Sequence, residues 1–243
     1  MLSPEILFFA PVIVLGAYVT FAITGFGSTL IAVPLLAHLF PLQFVIPVVL
    51  LLDGVACMRQ GLRLREDIFQ QELVPMLPFL LVGMAAGAIL LIRVSGEVLL
   101  PLLGVFVTGF GAYYLLSHDP AFTLRRWWVA PVGLFGGTIS SLFGISGPIY
   151  VMYLVGRGAT PDQIRATMPV LFIFTVLTRV VLFGFGGLIT IEVLLTAALL
   201  APVMFLGLHL GNRLHVSIPR ATIARLIGAL LLASGVSLLL RSL

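Results

Sequence analysis

The sequence predicts an all-α polytopic membrane protein made of two inverted repeats, each a broken or re-entrant helix pair followed by three transmembrane helices. Three observations carry this reading. The chain is 60% hydrophobic and 9% charged, with a mean hydropathy of +1.22, where a soluble domain has about 25% charged residues. Apolar runs near or above ~18 residues recur along its length, as membrane helices require, without the alternating ten-residue pattern of an outer-membrane barrel. Finally, Pro78, Gly83, Gly87, Gly104 and Gly111 recur as Pro202, Gly207, Gly211, Gly228 and Gly235, all displaced by the same 124 residues. The repeats divide the chain at 1–120 and 121–243 within one membrane domain.

The first half begins with an apolar helix from about Pro4 to Thr24. It has no Lys or Arg ahead of its apolar run and no small-residue cleavage site, so it reads as a retained helix and not a removable signal. The glycine-rich break Gly25-Phe26-Gly27-Ser28-Thr29 follows, then a short piece from Leu30 to Leu39, and a helix from Leu42 to Met58 after Pro41. A polar link from Arg59 to Glu72 leads to two long helices, about Leu73 to Ile92 and Val98 to Leu116. Beyond the Ser117 to Arg126 linker the order repeats. A short apolar segment runs from Trp127 to Phe143, the break Gly144-Ile145-Ser146-Gly147-Pro148 follows, and a short piece runs from Ile149 to Val155. Helices near Gln163 to Phe183, Ile191 to Leu210 and Ala221 to Leu240 complete the chain.

All thirteen basic residues are arginine, and the positive-inside rule uses them to orient the helices. Placing the Arg59 to Arg65 link in the cytoplasm also puts Arg125, Arg126, Arg157, Arg165, Arg213 and Arg220 there, leaving Arg93 and Arg241 outside. The halves are then inverted, and both termini are periplasmic in a bacterial cytoplasmic (inner) membrane. Charge counting leaves open whether each broken pair is a hairpin or two crossings. Length favours the hairpin, because Leu30 to Leu39 spans only about 15 Å.

A helix broken within lipid frees backbone N–H and C=O groups, which is tolerable where they are buried in protein or line a polar cavity. At the restart, free N–H groups and the positive end of the helix dipole suit an anion. The candidate binding residues are therefore Gly25, Phe26, Gly27, Ser28 and Thr29 at the first break and Gly144, Ile145, Ser146 and Gly147 at the second. Tyr150 adds a hydroxyl just beyond the second break. Arg179 is an intramembrane cation with Thr175 one turn away, and its planar fork matches small oxyanions. The competing readings are helix-packing glycines and an arginine snorkelling to the interface. Asp53, the one acid within an apolar run of the first half, is either a partner for Arg179, a carboxylate coupling transport to H⁺ or Na⁺, or a helix-end residue. The two breaks are expected to wall one shared anion pocket.

Cys57 is the single cysteine, so no internal disulfide forms, and no Cys/His spacing suits a metal. Nothing points to nucleic acid as a partner. The expected partners are a small anion and membrane lipid, with no cofactor beyond a coupling ion, in a monomer or homodimer. An intramembrane hydrolase would need a nucleophile with a base in reach; the sequence supplies no such pair, so no enzyme is expected.

Around the first break, Gly25 to Leu36 (GFGSTLIAVPLL) resembles the Gly-rich signature of the sulfite exporter TauE/SafE family of permeases, also called TSUP. Phe143 to Pro148 resembles its second copy, and Gly207 to Leu214 (GLHLGNRL) is similar to the family's penultimate helix. The resemblance extends over essentially the whole chain, with Ser28 and Ser146 standing within what is a fuller glycine run in the family. It implies secondary transport of a small sulfur-containing anion such as sulfite, thiosulfate or a sulfonate, or of a small carboxylate. A carrier working by alternating access and an anion channel are the two transport readings.

Overall fold

The computed structural model describes residues 4–24, 28–60, 68–116, 123–214 and 220–242, which contain helices and no strand. The helices are α1 (Pro4–Thr24), α2 (Ser28–Leu36), α3 (Leu42–Gln60), α4 (Gln70–Arg93), α5 (Gly96–Leu116), α6 (Val129–Phe143), α7 (Gly147–Gly156), α8 (Pro161–Phe185), α9 (Ile191–Leu214) and α10 (Arg220–Ser242). Their order is the expected one. Local chemistry explains several ends: Thr160 caps α8 by accepting from the Gln163 N–H at 3.2 Å, while the Gln163 side chain accepts from the Thr160 N–H at 3.0 Å. At the other extreme, Gly144 ends α6 with φ 74, a left-handed backbone that glycine adopts without a Cβ clash.

Four described helices are long and apolar enough to cross a membrane: Gln70–Arg93, Gly96–Tyr113, Pro161–Phe185 and Ile191–Arg213. Their outer faces carry exposed Val82, Ile89, Val105, Leu195 and Leu199, surface that suits lipid. By contrast α6 has 15 residues and α7 has ten, about 22 and 15 Å at 1.5 Å per residue, short of the ~30 Å apolar core. The ring of Tyr150 lies against Gly136, so α7 folds back along α6 as a hairpin. Helix α1 has 21 residues and is not shortened in the same way. The difference begins at Arg126–Trp128, a 3-10 turn before α6 with stacked, exposed indoles, interfacial chemistry that delays the helix start.

The chain forms two compact units, and each draws helices from both halves of the sequence. One comprises Met1–Leu52, Val94–Asp119 and Ile191–Leu243; the other comprises Asp53–Arg93 and Pro120–Thr190. This grouping by packing cuts across the 1–120 and 121–243 division, which concerns repetition along the chain.

In the first unit α9 runs parallel to α1. Gly207 faces the Leu15 carbonyl and Tyr18, and Gly211 faces Val19 and Ala22, with no room for a Cβ at either glycine. The second unit repeats this contact between α4 and α6, where Gly83 meets the Leu134 carbonyl and Gly87 meets Thr138 and Ser141. Leu134, Thr138 and Ser141 stand 119 residues beyond Leu15, Val19 and Ala22, just as the glycines of α9 stand 124 beyond those of α4. Small residues bring the backbones together in both places, which is how helices associate in lipid. Helices α5 and α10 pair within the first unit through Gly104 on Gly235 and Gly111 on Gly228. The falling register makes that pair antiparallel.

Candidate anion-binding site

The second unit gathers several polar side chains where the local sequence is apolar. Ser140 sits in the last turn of α6, and its carbonyl accepts from the Gly144 N–H at 2.9 Å, closing that helix. The same carbonyl accepts from Arg179 Nη1 on α8 at 3.2 Å. Arg179 is only 4% exposed, so it does not snorkel to the interface. Its Nε has no hydrogen-bond partner among the described residues, and the buried hydroxyls of Ser140, Ser141 and Tyr150 have none either. Tyr150 is close enough to Arg179 for the two to interact electrostatically. Ser146 neighbours the Tyr150 hydroxyl, although no hydrogen bond forms there by distance and angle.

Helix α3 approaches the same place. Gly54 lies against Val176, with 3.2 Å left for a Cβ, and Val176 is one turn before Arg179. Asp53 and Cys57 are both buried, and the Asp53 carboxylate lies near enough to attract the Arg179 guanidinium. The second break supplies Gly144, Ile145, Ser146 and Gly147 at the turn between α6 and α7. Ser146 precedes the first turn of α7 but makes no side-chain cap to it. Pro148 brings no N–H and the Tyr150 N–H donates to the Ser146 carbonyl at 3.2 Å, which leaves Gly147 and Ile149 as the backbone donors that turn can offer an anion.

Not every expected residue joins this group. Gly25, Phe26 and Gly27 lie outside the described residues. Ser28 and Thr29 open α2 in the first unit, both buried. Thr175 is buried next to Arg179, but its hydroxyl donates to the Phe172 carbonyl at 3.0 Å, so it has no donor left to offer. Ser140 and Ser141 were not foreseen. The signal was a pair of serines just ahead of a glycine break in an apolar segment. Of the two, Ser141 faces Gly87 on α4.

A second polar group was also missed. Glu72, the last residue of the polar link expected from the sequence, is in fact within α4 and only 3% exposed. Its Oε2 accepts a short hydrogen bond from the Tyr153 hydroxyl, and its Oε1 accepts from Arg157 Nε at 3.0 Å and Nη2 at 2.8 Å. Arg157 Nη1 donates to the Leu124 carbonyl at 2.8 Å. These bonds to Glu72 push the Arg157 guanidinium above its ordinary value. Tyr153, one turn beyond Tyr150 on α7, is therefore already engaged. No group of three or more metal-ligating side chains occurs among the described residues.

A family model described as sulfite exporter TauE/SafE matches residues 9–238. The chain belongs to this family. TauE/SafE proteins are membrane transporters and not enzymes. Two relatives illustrate the likeness. The chain is 31% identical to "Probable inner membrane transporter protein TsaS" of Comamonas testosteroni over 196 residues, which cover 78% of this chain and 80% of that protein. It is 31% identical to "Probable sulfite/organosulfonate exporter TauE" of Cupriavidus necator over 108 residues, 44% of this chain and 42% of that one. No solved structure matches the chain.

Proposed function

We propose that the chain is a secondary transporter of a small sulfur-containing oxyanion such as sulfite, thiosulfate or a sulfonate, working by alternating access in a bacterial inner membrane. The observation that carries this reading is a buried arginine with an unmet donor, Arg179 Nε, in the same unit as the unmet hydroxyls of Ser140 and Tyr150. The hydroxyls of Thr108, Ser141 and Ser234 are also unmet, and of these Thr108 and Ser141 lie against glycines in helix seams. Each such group left unmet costs about 1–3 kcal/mol. A small anion with several oxygens offers the acceptors they lack, and Arg179 offers charge in a site where Coulombic attraction is strong. The description of the family and the name of the Cupriavidus necator relative favour sulfur-containing anions over carboxylates.

The paired contacts of α9 on α1 and α4 on α6 support a duplicated architecture. The antiparallel meeting of α5 and α10 supports inversion between the copies, since a two-fold axis relating antiparallel membrane helices lies in the membrane plane. In this scheme α4 and α6 run outward, α1 and α9 run inward, and both termini are periplasmic. An anion entering beside the Asp53–Arg179 charges adds negative charge in a buried place, and H⁺ or Na⁺ taken up at Asp53 offsets it.

The test is counterflow in proteoliposomes with radiolabelled sulfite, thiosulfate and sulfoacetate. A carrier accelerates labelled uptake when unlabelled anion is preloaded, whereas a channel dissipates the gradient without such exchange. Thermal stability of the purified protein gives a second readout. Saturating sulfite should raise the midpoint of the wild type and not that of Arg179→Ala; equal shifts in both would remove the assignment of the site.

A further inference from the structure

The Glu72 group takes no direct part in this reading, yet its placement bears on the site. Tyr150, Tyr153 and Arg157 stand three and seven residues apart, so they share one face of α7 and its C-terminal cap. Tyr153 and Arg157 are both held by Glu72, whose two carboxylate oxygens are thereby occupied. Three residues back, about 4.5 Å along the helix axis, the Tyr150 hydroxyl has no hydrogen bond of its own, and its ring is buried against Gly136 in a core shared with Met76 and Leu80, apolar packing that does not aim the hydroxyl. At the break end, Ser146 does not cap α7. The side-chain hydrogen bonds that fix the axial position of α7 are thus at the far end of this ten-residue helix. The same turn of α4 also holds α8, through the Phe69 N–H to Thr167 Oγ1 at 2.9 Å.

We propose that Glu72 is a positioning residue for the anion site: by holding Tyr153 and Arg157 it sets the axial register of α7 and so the place of the Tyr150 hydroxyl. This rests on the reading of Tyr150 as a donor to the transported anion. A slip of about 1 Å along α7 would stretch an ordinary hydrogen bond from Tyr150 beyond its useful range. The carboxylate acts at a distance from the anion and touches none of it.

The test is a double-mutant cycle on sulfite uptake by the full-length chain in proteoliposomes, with transport normalised to folded protein. Tyr153→Phe, which removes only the hydroxyl held by Glu72, should raise KM on the order of three- to tenfold with Vmax little changed. Tyr150→Phe should raise KM similarly, and adding Tyr153→Phe to it should raise KM no further, because the two act through one contact. Glu72→Gln provides a second entry to the cycle if Tyr153→Phe yields too little folded protein. Equal and independent factors in both backgrounds, or a Tyr153→Phe protein with reduced yield and unchanged KM, would overturn the positioning role. A Tyr150→Phe protein with wild-type KM would instead remove the reading of the site on which it rests.

Discussion

Two buried polar groups lie in the same unit of this molecule, and they differ in one respect that separates structure from binding. Around Glu72, the carboxylate oxygens, the Tyr153 hydroxyl and the Arg157 guanidinium all have partners. Around Arg179, three donors on α6, α7 and α8 have none. A satisfied network in a low-dielectric interior holds elements in place, whereas an unsatisfied one is costly unless something arrives to complete it. The first group is therefore a clamp and the second a receptor. Their opposite responses to mutation are the way to test that distinction.

The largest effect is expected at Arg179. Arg179→Ala should lower sulfite uptake on the order of a hundredfold or more, through loss of a charge-assisted contact in a water-poor site, in protein that is still extracted folded, with a lower thermal midpoint because buried Asp53 loses a neighbouring cation. Uptake within a few-fold of wild type would end the receptor reading.

Next comes Glu72→Ala, which strands a buried tyrosine hydroxyl and a partly exposed arginine. It should cost about 2–3 kcal/mol of stability, visible as a lower thermal midpoint without any ligand. Tyr150→Phe and Ser140→Ala should do the reverse in the ligand-free protein. Removing a buried donor that has no partner should leave the midpoint unchanged or raise it by an amount worth about 1 kcal/mol, while sulfite gives a smaller stabilising shift than in the wild type. A midpoint that falls for these variants as it does for Glu72→Ala would erase the difference between the groups.

The smallest effect is expected at Ser141, whose side chain faces Gly87 in the α4–α6 contact. Ser141→Ala should leave KM for sulfite within about twofold of wild type. A rise matching that of Ser140→Ala would enlarge the receptor to include the α4 side of α6.

Much of the architecture was legible in the chain because its causes are local. Apolar run length located the helices to within a few residues, and Gly144 ends α6 where a left-handed glycine was needed. The repeated glycines also proved to be close-approach positions, matched between α4 on α6 and α9 on α1. The candidate site was legible in part. Arg179, Tyr150 and Ser146 stand out as polar residues in or beside apolar runs, and so does Asp53. Thr175 looked equivalent to them, yet its hydroxyl is taken by its own helix, a backbone competition that spacing does not reveal.

Composition and pattern by themselves determined that this is a helical membrane protein with two interrupted segments, because hydropathy, glycine and proline act over a few neighbouring residues. Pairing was decided only by the tertiary structure. Glu72 meets Tyr153 across 81 positions and Arg179 meets the Ser140 carbonyl across 39, so no local pattern could tell which buried polar group would be satisfied and which left waiting. In a lipid-facing fold that difference rests on which helices touch, and the touching is set by glycines that let backbones approach.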